Sequence, residues 1–143
     1  MTVLVDTPIW SFAFRRPADR LSAEERRHVE EWTELVQQRR AILLGPVRQE
    51  VLSGIRDGRA FERLRVALRA FPDEGLSVED FEEAARADSI CRAAGVAGST
   101  VDYLLCGAAL RRDVAIYTTD QDFTGYALHL PLKLYSLSAP GLG

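Results

Sequence analysis

An α/β fold, with a parallel sheet of four to five strands sandwiched between helices, is predicted by two features of this 143-residue chain. Short apolar runs (TVLV at 2–5, AILLG at 41–45, VAIYT at 114–118 and LKLYSL at 132–137) recur between longer stretches of helical periodicity. Strands that alternate with helices pair in parallel, because a parallel crossover needs a helix to return the chain across the sheet.

The first run ends at Asp6 and Pro8, which predicts a buried strand followed by a turn. The first helix signal is the capping box of Ser22 and Glu25, preceded by Leu21, with Val29, Trp32, Leu35 and Val36 on one face. After the strand at 41–45, Pro46 suits the first turn of a helix that carries Glu50. Gly54 and Gly58 loosen that helix before another, in which Phe61, Leu64, Leu68 and Phe71 keep helical spacing until Pro72. A small strand is expected near Leu76, and Ser77 with Asp80 opens a helix that Gly95 ends. Ser99 or Thr100 caps the next helix, with Asp102 in its first turn and Leu104, Leu105, Ala108 and Ala109 facing the core. Two strands, at 114–118 and 132–137, complete the order.

The length suits one domain spanning 1–143. At 47% hydrophobic and 27% charged, the composition excludes a disordered or fibrous chain. Cys91 and Cys106 both lie in helical patterns and read as reduced, buried thiols. The start lacks the basic and apolar regions of a signal peptide, and no apolar stretch approaches eighteen residues, so the expected setting is cytoplasmic, away from membranes. A net charge of −3 argues against holding nucleic acid by bulk charge, unless a metal ion changes the balance locally.

Four acids stand where a strand ends or a helix begins: Asp6, Glu50, Asp102 and Asp120. Singly, each reads as structural, since helix N-termini favour carboxylates. Sites in open parallel sheets, however, form beyond the carboxyl ends of the strands, so the four are candidates for one pocket. Converging carboxylates repel unless a cation neutralises them, and an all-oxygen set suits Mg²⁺ or Mn²⁺ better than Zn²⁺. Metal-assisted phosphodiester hydrolysis is the chemistry such a site supports. Thr7, Ser99 and Thr119 are candidate supports for the carboxylates, and Asp122 is an additional acid in TTDQDF.

The segments LVDTPIW, ILLGPVRQEVLSG, GSTVDYLLCGAAL and IYTTDQDF resemble the PIN-domain ribonucleases, most closely the VapC toxins of bacterial toxin–antitoxin modules. The resemblance covers nearly the whole chain and implies a PIN-like fold. It implies that Asp6, Asp102 and Asp120 surround the divalent ion, that Glu50 completes the site, and that Asp120 rather than Asp122 is the fourth acid. It further implies an RNA substrate, a homodimer, and inhibition by a cognate VapB-type antitoxin that enters the groove near the acids.

Arg48 reads as a solvated helix position, Arg15 and Arg16 as exposed loop charges, and His28 and His129 as non-catalytic. Trp10, Phe12, Phe14 and Trp32 read as a hydrophobic groove for a partner helix. Two other functions compete with the nuclease. One is a phospho-accepting receiver domain, opposed by the position of Lys133 inside the last strand; the other is a nuclease-like module that binds RNA or antitoxin without turnover.

Overall fold

The computed structural model describes residues 1–137. Its sheet has three parallel strands in the order β2-β1-β3, where β1 is Val3–Val5, β2 is Ala41–Ile42 and β3 is Ala115–Tyr117. Val3 pairs with Ala41 on one side and Ala115 on the other. Every residue of β1 is buried, so helices cover both faces of the sheet.

Seven α-helices are found among the described residues: α1 (Thr7–Phe14), α2 (Ala23–Gln37), α3 (Gly45–Leu52), α4 (Gly58–Leu68), α5 (Val78–Ala93), α6 (Thr100–Arg112) and α7 (Asp122–Ala127). The expected capping box opens α2: Ser22 Oγ accepts from Glu25 N–H at 3.0 Å, and Glu25 Oε1 accepts from Ser22 N–H at 2.8 Å. Ser77 and Asp80 cap α5 in the same way, and Gly95, at φ 81°, follows its C-terminus.

Four elements depart from the sequence expectation. Residues 7–14 form a helix rather than a turn, because Pro8 presets the helical φ in its first turn and loses no bond there. Asp122–Ala127 form α7, a helix absent from the expected element order. No strand occurs near Leu76. The expected fourth strand shrinks to a single bridge, Ile116↔Leu134, held by Ile116 N–H to Lys133 O (2.9 Å) and Tyr135 N–H to Ile116 O (2.8 Å). The pairing stops on the chain's N-terminal side because the next amide, Val114 N–H, is taken by Ala109 O at the end of α6 (3.1 Å).

Of the aromatic residues expected to form a groove, Trp10 belongs to the core, and Phe12, Phe14 and Trp32 are half-buried against it. Trp10 is fully buried, donates from Nε1 to Val5 O at 2.9 Å, and packs edge-on against Trp32 (5.5 Å) and Phe71 (4.9 Å). Phe14 lines a groove with Ile55 and Leu64. Leu105, Ala108 and Ala109 are buried as expected, and Leu104 is half-buried beside them.

Asp80 joins α5 to α6. It is wholly buried, accepting from Arg112 Nη1 at 2.7 Å and Arg111 Nη1 at 2.9 Å. One turn further along the same crossing, a Cβ on Gly107 would lie 2.6 Å from Ala84 N and 2.9 Å from Asp80 O, so two backbones meet where only glycine fits. Gly107→Ala is therefore expected to destabilise the fold by about 2 kcal/mol or more, the cost of forcing two packed elements apart. Chemical denaturation of the two proteins checks this; an unchanged midpoint would refute the close-packed crossing.

Candidate active site

In a 2-1-3 strand order the connections leave β1 in opposite directions, which opens a crevice beyond the carboxyl ends of β1 and β3. Asp6 directly follows β1 as the residue before α1, and its amide donates to Tyr117 O at 2.8 Å. Its carboxylate does not cap α1 through the amides of that helix's second and third residues. Instead Oδ2 accepts from Thr118 Oγ1 at 2.7 Å, across from the end of β3. Thr118 Oγ1 in turn accepts from the amide of Asp120 at 3.0 Å, so one hydroxyl ties both strand ends together.

Glu50 reaches the crevice from α3, where its Oε1 accepts from Thr7 Oγ1 at 2.6 Å. Asp102 projects from the first turn of α6; its amide is capped by Ser99 Oγ at 3.1 Å, and its Oδ2 accepts from Tyr126 Oη at 2.7 Å. Asp120 Oδ1 accepts from the amide of Asp122 at 2.9 Å, which seats the start of α7 beside it.

All four expected acids thus border one crevice, but the tightest grouping differs from the expected one. One carboxylate oxygen from each of Asp102, Asp120 and Asp122 lies within 4.8 Å of the others, whereas Asp6 falls outside that trio. Asp6 sits deeper, 3% exposed. Burial pushes its carboxyl from 3.8 up to about 6; the Thr118 hydroxyl and the Thr7 backbone amide oppose the rise, while Asp102 and Glu50 add to it by repulsion. Asp102 is raised for the same reasons, chiefly burial, with Asp120 and Glu50 as its repelling neighbours. Among the described residues no basic side chain is bonded to these carboxylates, and such a cluster is a donor set for a hard divalent cation.

Of the expected supports, Thr7 bonds Glu50 and Ser99 caps Asp102. The threonine that holds the acids is Thr118, not Thr119. Tyr126 was also missed; its signal was its place four residues after Asp122, visible only if 122–127 is read as a helix. Arg48 is not solvated, since it donates to Leu68 O (2.9 Å) and Phe71 O (2.5 Å) at the end of α4. Arg16 pairs with Glu25 at 2.6 Å. His28 is buried against Tyr117, Nδ1 to Oη 2.7 Å, away from the acids' bonds. Lys133 pairs with Asp113 at 2.7 Å on the surface, which leaves no lysine bonded to the acids as a receiver site would need.

The family model of the PIN domain matches residues 3–128. The chain belongs to the PIN domain family. No curated protein matches it at the level of sequence. This PIN domain is similar in fold to the FitAcB structure from Neisseria gonorrhoeae, at TM-score 0.71 and 16% identity over 94% of this chain and 97% of that one. It is also similar to VapBC2 from Rickettsia felis bound to a promoter DNA fragment, at TM-score 0.72 and 15% identity over 94% and 98% of the two chains. A toxin–antitoxin complex from Klebsiella pneumoniae matches at TM-score 0.62 and 17% identity, over 87% of this chain and 92% of that one. At these identities the likeness is one of fold. Among the described residues, no helix of this PIN domain is long and apolar enough to cross a membrane.

Proposed function

We propose that this PIN domain is a divalent-cation-dependent endoribonuclease, Mg²⁺ or Mn²⁺ serving as the ion, and acts as the toxin of a VapBC-type module. The single observation that carries the reading is the acidic crevice: five carboxylates border it, three of them within 4.8 Å of one another, and among the described residues no basic side chain is bonded to any of them. Such a site repels a polyanion unless a cation intervenes.

The residues present fit that ion. Asp102 and Asp120 are its proposed holders with Asp6, and the geometry adds Asp122 to the set. A divalent ion bound there supplies stabilisation of the charge that builds on a phosphodiester under attack. The chain's own groups do the rest. Thr118 fixes Asp6 and the loop bearing Asp120 as one unit. Thr7 holds Oε1 of Glu50 and leaves Oε2 to orient a water by hydrogen bonding.

The partner in this proposal is a VapB-type antitoxin, with the toxin acting as a homodimer. Its support is twofold. The neighbours in fold are toxin–antitoxin complexes. A groove of about 570 Å³, lined by Phe14, Ile55 and Leu64 with Arg15, Arg56 and Arg63, offers apolar floor and basic rim to an amphipathic, acidic segment.

Incubating total RNA with the purified protein tests the activity. Cleavage with Mg²⁺, none with EDTA, and none by Asp120→Asn at any Mg²⁺ concentration are the expected results. Mn²⁺ binding without cleavage of any RNA would leave a binding module in place of an enzyme.

A further inference from the structure

α7 is anchored to the acidic crevice twice. Its first residue, Asp122, donates its amide to Asp120 Oδ1 at 2.9 Å. Four residues on, and so on the same face of the helix, Tyr126 Oη donates to Asp102 Oδ2 at 2.7 Å. The two bonds hold the carboxylates of Asp120 and Asp102 and fix the backbone that carries the third, Asp122.

The tyrosine is built into place. It is fully buried, with the Tyr103 ring 5.2 Å away and the Phe123 ring edge-on at 5.1 Å. Its hydroxyl reaches Asp102 only because residue 98 is glycine: a Cβ there would lie 2.5 Å from Tyr126 Oη, 2.8 Å from Tyr126 Cζ and 2.9 Å from Tyr103 Cζ. Chemically, a phenol suits the position. It satisfies one oxygen of a half-buried carboxylate and restricts its rotation without neutralising its charge, whereas a Lys or Arg in the same place would compete with a cation.

We propose that Tyr126 is a positioning residue of the acidic site: through Asp102 and the seat of α7 it presets the spacing of Asp102, Asp120 and Asp122 for a divalent ion, in the space that Gly98 leaves open. The inference rests on the cation reading above. Groups that orient a metal ligand typically contribute ten- to a hundredfold to affinity, even though they never touch the ion.

The test is a calorimetric titration of Mn²⁺ into the wild type, Tyr126→Phe and Gly98→Ala. Tyr126→Phe keeps the ring and its packing and removes only the donor, and its Mn²⁺ affinity is expected to fall by about tenfold to a hundredfold. The Mn²⁺ concentration for half-maximal RNA cleavage should rise in step, while the rate at saturating Mn²⁺ returns toward the wild-type value. A merely structural tyrosine would lower that rate at every metal concentration. Gly98→Ala should weaken binding in the same direction by displacing the hydroxyl; if it does not fold, Tyr126→Phe decides alone. Wild-type Mn²⁺ affinity in Tyr126→Phe would overturn the inference and leave the cation reading intact. No Mn²⁺ binding by the wild type would overturn both.

Discussion

Asp6→Asn abolishes RNA cleavage and at the same time stabilises the metal-free protein at neutral pH; this paired outcome is the expected result of changing the most buried acid in the crevice. Asn keeps an oxygen for the Thr118 hydroxyl, which is 2.7 Å from Asp6 Oδ2, so the strand ends stay tied. What it removes is a negative charge that burial, with Asp102 and Glu50 nearby, makes costly enough to push the carboxyl from 3.8 to about 6. That difference corresponds to roughly 3 kcal/mol at a pH where the wild type is ionised. The sign follows from linkage. A carboxyl raised in the native state favours folding below its unfolded value of 3.8, and the benefit is lost as pH rises through about 6. The stabilisation by Asn should therefore be full at pH 7 and absent below pH 3.8. Thermal denaturation in EDTA at both ends of that range measures it, and a variant less stable than wild type at pH 7 would show that Asp6 is not a buried, uncompensated charge. The activity half needs only the cleavage assay, with a loss of about a hundredfold or more expected from removing a carboxylate that helps hold the ion stabilising the reacting phosphate.

Asp80→Ala has the opposite character: it should cost stability without touching the crevice. Burial alone would raise the Asp80 carboxyl, but hydrogen bonds from Arg112, the Ser77 amide and Arg111 hold it well below the usual carboxylate range. Removing it undoes the α5 cap and takes away the shared carboxylate of two guanidinium groups, leaving Arg111 the Ser77 hydroxyl and Arg112 the Ala108 carbonyl and the longer 3.8 Å pair with Glu74. Loss of one partner of a buried ion pair costs about 3–5 kcal/mol, and the lower end applies because both arginines reach solvent. The pH dependence is also reversed. Stability from a lowered carboxyl is present above its unfolded value of 3.8 and lost as pH falls toward its native one, so the penalty of Asp80→Ala should shrink in acid. Urea midpoints at pH 7 and pH 3 check this; equal penalties at the two values would assign Asp80 a packing role only.

Most of the architecture was legible because its signals are local. Capping boxes at Ser22 and Ser77, Pro46 in a first turn and unbroken apolar runs need no tertiary information. The α1 and α7 helices were missed because both are short and neither shows a two-faced pattern: the TPIWSFAF of α1 is largely apolar, and DFTGYA carries a glycine in six residues. The fourth strand was overestimated since an apolar, β-branched-poor run such as LKLYSL shows no sign of how many bonds its neighbour can offer.

The candidate site was legible for a different reason. Strand ends in a parallel sheet converge, so Asp6 and Asp120 could be placed together before any coordinates, with Glu50 and Asp102 following from their helices. What pattern could not reveal was which side chains pair within the crevice. Thr118 and Thr119 are adjacent and chemically alike, and only the register of β3 aims the first at Asp6. Asp122 entered the close trio because α7 starts there, a fact invisible in TTDQDF read as a turn.

Crystals soaked in Mn²⁺ and measured at an energy where manganese scatters anomalously test the central claim most directly. The account predicts one strong peak among Asp102, Asp120 and Asp122, within direct coordinating distance of their carboxylate oxygens as for a hard, oxygen-ligated ion. A crevice without a peak at saturating Mn²⁺, or a peak only at other surface acids, would contradict it.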